Sequence, residues 1–238
     1  MQRYALFDLD GTLLPMDTDR FLEQYVRSIT PHFSHLVDPG LFSRQLMASS
    51  YATIGNPDPA LTNQEKFMAD FFPKIGCRPE ELMPLFERFY RQHFCGLSQH
   101  TNPSPLARQL VQAALEQGYR IVLATNPIFP QEAVEQRMDW AGVADLPWQL
   151  VTSYEQTHFC KPNPSYFAEV LQLLSADPAD CLHFGNDMDE DMAARELGVP
   201  VVIVEDCLIN RHSREFADCL FHGNLQQVLD WLITGRNP

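Results

Sequence analysis

Residues 7–14 read Phe-Asp-Leu-Asp-Gly-Thr-Leu-Leu (FDLDGTLL), and how this stretch is read decides the fold. The run that leads into it, residues 3–9, is apolar on both faces apart from its ends, the pattern of a central parallel strand covered by helices on either side. Carboxylates do not belong in such a core, but they suit the strand's carboxyl end, where open α/β sheets bind ligands. Asp8 and Asp10 are therefore expected to project into that crevice. Two carboxylates this close repel, and one pKa rises unless a cation or hydrogen-bond donors compensate. A hard divalent cation with oxygen ligands would resolve the conflict. A purely structural reading also exists: a strand ended by an Asx-type turn, with Gly11 supplying an unusual φ.

Working outward, 238 residues suggest one large domain or a core with a smaller companion. With 45% hydrophobic and 20% charged residues the chain can build a sizeable core. The net charge of −14 argues against nucleic acid or an anionic membrane as main partner, since both need clustered Lys and Arg. It does not exclude phosphate, which a few lysines, hydroxyls, amides and a metal can hold. The N-terminus enters a strand at once without a signal-peptide pattern, and no stretch has the roughly 18 uninterrupted apolar residues of a membrane span. A cytoplasmic location is expected. Six cysteines without a CxxC pair suggest reduced thiols; Cys160 beside Lys161 lacks the His partner a reactive thiol would need.

From Asp17 onward the pattern turns helical. Phe21, Leu22, Tyr25, Val26 and Ile29 form one apolar stripe, Phe67, Met68, Phe71, Phe72 and Ile75 a second, and Leu82, Met83, Phe86, Phe89, Tyr90 and Phe94 a third. A weaker helix is expected over 41–52. No strand signal appears between Pro15 and Asn102, so the block reads as an all-helical insertion with its own aromatic core. The stripes read as packing rather than as a binding surface. Beyond Ser104 and Pro105, which open a helix ended by Gly118, strands and helices alternate. RIVLAT is a strand, 130–141 a helix, 149–152 a short strand, and Asn163-Pro164 opens another helix. CLHF is a strand, followed by GNDMDEDM and a helix to Gly198. VPVVIV, a short edge strand over 218–221, and a last helix capped by Asn224 complete the pattern. Repeated βα units predict a doubly wound parallel sheet with right-handed crossovers.

Three further features fall where such a sheet builds a site. Thr125 and Asn126 end the strand RIVLAT, which alone would be an ordinary turn. Lys161 in FCKPNP precedes a capped helix, where a solvated lysine is common. Asp187 ends CLHF, with Asp189, Glu190 and Asp191 behind it; acids at a helix start complement its dipole. Convergence at one sheet edge is what favours a site.

FDLDGTLL, LATN, the lysine of CKPNP and GNDMDED, in this order and on this framework, resemble the four motifs of the haloacid dehalogenase superfamily. The resemblance covers about residues 1–15 and 101–204, and the helical block resembles the cap inserted after the first motif in one subgroup. The fourth motif departs from the common GD followed by a small residue, yet acids at Asp187 and Asp191 still fit. The resemblance implies a Rossmann-like core of residues 1–15 and 102–238 with a helical cap of residues 16–101.

It also implies a chemistry. Asp8 would be the nucleophile, forming an aspartyl-phosphate, and Asp10 the general acid and base. Magnesium would be held by Asp8, the backbone carbonyl of Asp10, and Asp187. Thr125 and the Asn126 amide would bind phosphate, Lys161 would neutralise Asp8 and the transferring group, and Asp191 would orient Lys161 or a metal-bound water. Gly11 and Thr12 would support the turn; Asp189 and Glu190 read as helix-start charges. Dehalogenases of the superfamily lack an acid two residues after the nucleophile, so Asp10 favours a phosphatase acting on a small phosphorylated metabolite, such as a sugar phosphate, phosphoglycolate or a nucleotide. The alternatives are a phosphomutase, a phosphonate-cleaving enzyme with Lys66 or Lys74 as Schiff base, a phospho-accepting signalling domain and a silent scaffold. Arg20 or Arg44 could meet an anionic substrate, although both read more readily as part of a solvated face.

Overall fold

A computed structural model describes residues 2–235. Residues 1 and 236–238, counted with the core by sequence, lie outside the described residues. Among the described residues six strands form one parallel sheet in the order β3-β2-β1-β4-β5-β6. They are β1 (Arg3–Phe7), β2 (Tyr119–Leu123), β3 (Leu150–Val151), β4 (Cys181–Gly185), β5 (Val201–Val204) and β6 (Phe221–Gly223). β1 is central, with Phe7 opposite both Leu123 and Phe184. The chain winds from β1 to β3 on one side and returns to β4 on the other. This reversal opens a crevice beyond the carboxyl ends of β1 and β4.

Both faces of the sheet are covered. Ala5 and Phe7 join a cluster with Leu110 of α5 (Pro105–Glu116) and Val228 of α8 (Leu225–Thr234). Tyr4 and Leu6 face Tyr166 and Phe167 of α7 (Pro164–Leu174) on the opposite side. Leu6 and Phe7 are fully buried, each stabilising the fold by about 2 kcal/mol. The caps follow the sequence: Ser104, Asn163 and Asn224 each accept a backbone N–H at the start of α5, α7 and α8.

Between β1 and α5 lie α1 (Thr18–Ile29), α2 (Pro39–Ile54), α3 (Asn63–Ile75) and α4 (Pro79–Gln92). Asp17 caps α1, and Thr62 forms a capping box with Glu65 on α3. The block does not keep a separate aromatic core. Phe94 stacks on Trp140 at 5.4 Å and Tyr25 meets Phe129 at 5.1 Å, so its rings merge with those around α6 (Gln131–Trp140). Four short helices have too little interior to bury so many rings alone, and α6 supplies the missing surface.

The helix expected before Gly198 is present as a 3-10 helix, Asp191–Leu197. The Asp191 carboxylate accepts the N–H groups of Asn186 and Asp187, drawing the first turn against the strand end, and Gly198 at φ +86° closes it. The edge strand is Phe221–Gly223, later than 218–221, with Phe216–Asp218 a 3-10 turn. Pairing begins at Phe221 because its ring stacks on Trp231 of α8 at 5.2 Å, whereas Asp218 is exposed. Among the described residues no helix is long and apolar enough to cross a membrane.

Candidate active site

Asp8 follows β1 directly, and its N–H still donates to Phe184 O of β4 at 2.8 Å. The chain then turns sharply, with the N–H groups of Thr12 and Leu14 both donating to Leu9 O. Gly11 sits at φ +89°, and a Cβ there would come 2.3 Å from Asn186 Nδ2, so both conformation and space require glycine. The Thr12 hydroxyl lies 3.1 Å from Asp8 Oδ2 and 2.9 Å from Asn186 Oδ1, and its single proton can serve one of them at a time.

β4 ends in a second close approach. A Cβ on Gly185 would meet the Asp191 carboxylate at 2.1 Å, so Asp191 tucks beneath the strand end. There its Oδ2 accepts the two backbone N–H groups, and its Oδ1 accepts from Lys161 Nζ at 2.7 Å and faces His183 Nε2 at 2.8 Å. Lys161 Nζ also donates to Asp8 Oδ1 at 3.0 Å. Asp191 thus orients Lys161 toward Asp8. Asp187 Oδ1 accepts the N–H groups of Asp189 and Glu190, while its Oδ2 lies 3.4 Å from Arg211.

At the end of β2, Thr125 is buried and borders the cavity, and its carbonyl accepts from Thr152 and Tyr166. The Asn126 side chain clamps the backbone of Lys161, accepting its N–H and donating to its carbonyl, and also donates to Glu190.

Burial sets the electrostatics. Desolvation pushes the Asp8 carboxyl up to about 7 despite the pull of Lys161. Burial likewise raises Asp187 and takes Glu190 up to about 8. Asp191 goes the other way: burial opposes its charge, but Lys161 and His183 outweigh it and hold the carboxyl below the usual carboxylate range. The same pairing keeps Lys161 protonated against its own burial.

Four site residues escaped the sequence reading. Arg137, 1% exposed on α6, donates to Asp10 Oδ2 and stacks 4.5 Å over the Phe129 ring, while Asp10 Oδ1 stays buried without a partner. Its signal was available: Ala133, Val134, Arg137, Met138 and Ala141 share the apolar side of α6, where a guanidinium needs a buried acid. Asn186 ties the Gly11 turn to Cys207 O; Arg211 reaches Asp187; Glu190, read as a helix-start charge, lines the cavity instead. Asp189 instead holds Arg211, His212 and Arg214 of the following loop. Other candidates stand apart. Arg20 and Arg44 are exposed and outside the cavity, Lys66 donates to the carbonyls of Asn56 and His158, and Lys74 pairs with Asp70. Burial drives the Cys160 thiol up to about 12, which leaves it unreactive.

Asp8, Asp10, Thr125, Asn126, Asp187 and Asp191 line one cavity of about 410 Å³ between the sheet edge and the inserted helices. No three His, Cys, Asp or Glu side chains group as a metal cage among the described residues, and the Asp10 carboxylate is taken by Arg137. The carboxylates of Asp8 and Asp187, oxygen donors bordering the same cavity, nevertheless fit a hard cation.

A doubly wound sheet with acids from β1 and β4, a hydroxyl from β2 and a lysine from the loop before α7 defines an α/β enzyme with its site at the topological switch point. The model of the haloacid dehalogenase-like hydrolase family matches residues 3–198, and the chain belongs to that family. It is 25% identical over 208 residues to Pyrophosphatase PpaX of Bacillus cereus (strain ATCC 10987 / NRS 248), covering 87% of this chain and 85% of that protein. It is 25% identical over 211 residues to the phosphoglycolate phosphatase of Mesorhizobium japonicum, covering 89% and 86%. The crystal structure of a HAD phosphatase from Thermococcus onnurineus shares the fold, with a TM-score of 0.57 at 18% identity and coverage of 97% and 98%. By its family membership the chain is a hydrolase.

Proposed function

We propose that the protein is a magnesium-dependent phosphatase that hydrolyses a small phosphorylated metabolite through an aspartyl-phosphate on Asp8, with residues 16–101 acting as a cap domain over a core of residues 1–15 and 102–238. The observation that carries this reading is that Asp8 and Asp10 border one cavity, the first held by Lys161 and the second by Arg137 with its other carboxylate oxygen unpartnered. An Asp8 oxygen attacks phosphorus and the bond to the leaving oxygen breaks, while Asp10 donates a proton to that oxygen. Asp10 then takes a proton from water, whose oxygen attacks phosphorus and breaks the bond to Asp8, releasing phosphate. Thr125 Oγ1 and the Asn126 N–H hold phosphate oxygens, and Lys161, oriented by Asp191, neutralises the charge gathered on Asp8 and the transferring group. Magnesium would be held by the Asp8 and Asp187 carboxylates and the Asp10 carbonyl, and when bound supplies the positive charge that lets a carboxylate approach a phosphate dianion.

Phosphate release from a panel of phosphomonoesters, measured with magnesium or with chelator for wild type and Asp8→Asn, tests this. Release that needs magnesium and is lost in the variant supports the reading; release that survives the substitution removes Asp8 as nucleophile.

A further inference from the structure

The cavity extends far past the carboxylates, and its composition changes abruptly. Thr18, Asp19 and Ser50, whose hydroxyl donates to Leu46 O, are polar members of its helical wall; the apolar part includes six side chains, Leu22 of α1, Met47 and Ile54 of α2, Phe67 and Met68 of α3, and Met83 of α4. All six are only half-buried, so the space they border is what leaves them uncovered. Tyr51, 64% exposed, forms the rim. No basic side chain of the inserted helices lines this space: the Lys66 amine is spent on two carbonyls, and Arg20 and Arg44 lie elsewhere. Arg211, the one basic residue in the lining, faces Asp187 and Asp19. A second anionic group on the substrate would therefore meet Asp10, Asp19 and Glu190 with no free cation to receive it.

From this wall we infer that the substrate is the phosphate monoester of an uncharged, hydrocarbon-rich alcohol, whose apolar body fills the space under α1–α4 while its phosphate sits at Asp8. The inference rests on the phosphatase reading above and narrows its substrate. At about 410 Å³ the cavity has the size and mixed character of sites that bury most of an organic ligand while a few polar groups fix its orientation. Phosphoglycolate, pyrophosphate and sugar phosphates would leave the apolar side chains wet or face them with hydroxyls and charges for which the wall offers few partners, since the hydroxyls of Ser50, Tyr25 and Tyr90 are already engaged. An alkyl, prenyl or aryl group covers it and displaces that water. Methionines suit the task, since their flexible thioethers adapt to ligands of differing outline.

The test uses the full chain with magnesium and a series of n-alkyl phosphates from methyl to octyl, alongside phosphoglycolate, pyrophosphate and acetyl phosphate. Each added methylene is expected to raise kcat/KM by about fourfold until the cavity is filled. In Met68→Gln, and separately in Met47→Gln, the octyl-to-methyl ratio of kcat/KM is expected to fall about fivefold or more; because the ratio is internal to each protein, a loss of folded material does not alter it. A flat alkyl series, or phosphoglycolate or pyrophosphate as the preferred compound, overturns the apolar substrate and leaves the phosphatase reading standing. Release from none of the compounds, acetyl phosphate included, overturns both.

Discussion

At the carboxyl edge of the sheet, Asp191 alone engages Lys161, His183 and the amides of Asn186 and Asp187, all within 3.0 Å. Across the cavity, Met47, Met68 and Met83 present only apolar surface. The two walls follow different physics. Buried charges have one satisfactory arrangement, because each lost partner strands another charge in a low-dielectric interior. Apolar contact is non-directional, and a wall of Leu, Ile, Phe and Met tolerates changes of shape at constant volume. On the proposed function the sheet edge would fix the reaction, and the helical wall could change which molecule undergoes it.

Substitutions at the edge should have the largest effects. Asp8→Asn is expected to lower kcat on the order of 10⁴-fold or more while the denaturant midpoint stays near wild type, since an uncharged isostere keeps the shape but cannot attack. Asp191→Ala, which frees Lys161 and His183 from their shared acceptor, should cost about 3 kcal/mol in urea unfolding and roughly 10³-fold in kcat. Arg137→Met keeps much of the buried volume but abandons Asp10. It should lower kcat about 10²-fold with KM nearly constant, and an equal rise in KM would make Arg137 a substrate ligand instead. Asp187→Ala should raise the magnesium concentration for half-maximal activity roughly tenfold or more, and an unchanged titration excludes it as a ligand. On the other wall, Met83→Leu should change unfolding stability by less than about 1.5 kcal/mol and alter only the ranking of substrates. If Met83→Leu proved as damaging as Arg137→Met, the contrast between the two walls would collapse.

Much of the edge was legible because its signals are local. FDLDGTLL carries its strand, turn and acids within eight residues, and Lys161, Asp187 and Asp191 sit at strand or helix boundaries that caps and apolar runs locate. Arg137 was not, because its partner Asp10 lies 127 residues away and only the fold joins them. The helical stripes read as packing, and for Phe71, Leu82 and Phe89 this holds. Their neighbours Leu22, Phe67, Met68 and Met83 belong to the same stripes but border the cavity. A period of 3.6 identifies an apolar face without saying whether protein or ligand covers it. The merging of the block's rings with α6 was hidden for the same reason.

That merging has a mechanical side. Tyr25 of α1 rests on Phe129, Phe129 carries the Arg137 guanidinium, and Arg137 grips Asp10, while Trp140 on the same ten-residue helix is stacked against Phe94. Arg137 and Trp140 thus stand one turn apart near the end of α6, one fastened to Asp10 and the other to Phe94 of the inserted block. A load applied to Tyr25 bears on Asp10 through Phe129 and Arg137, without passing through the sheet.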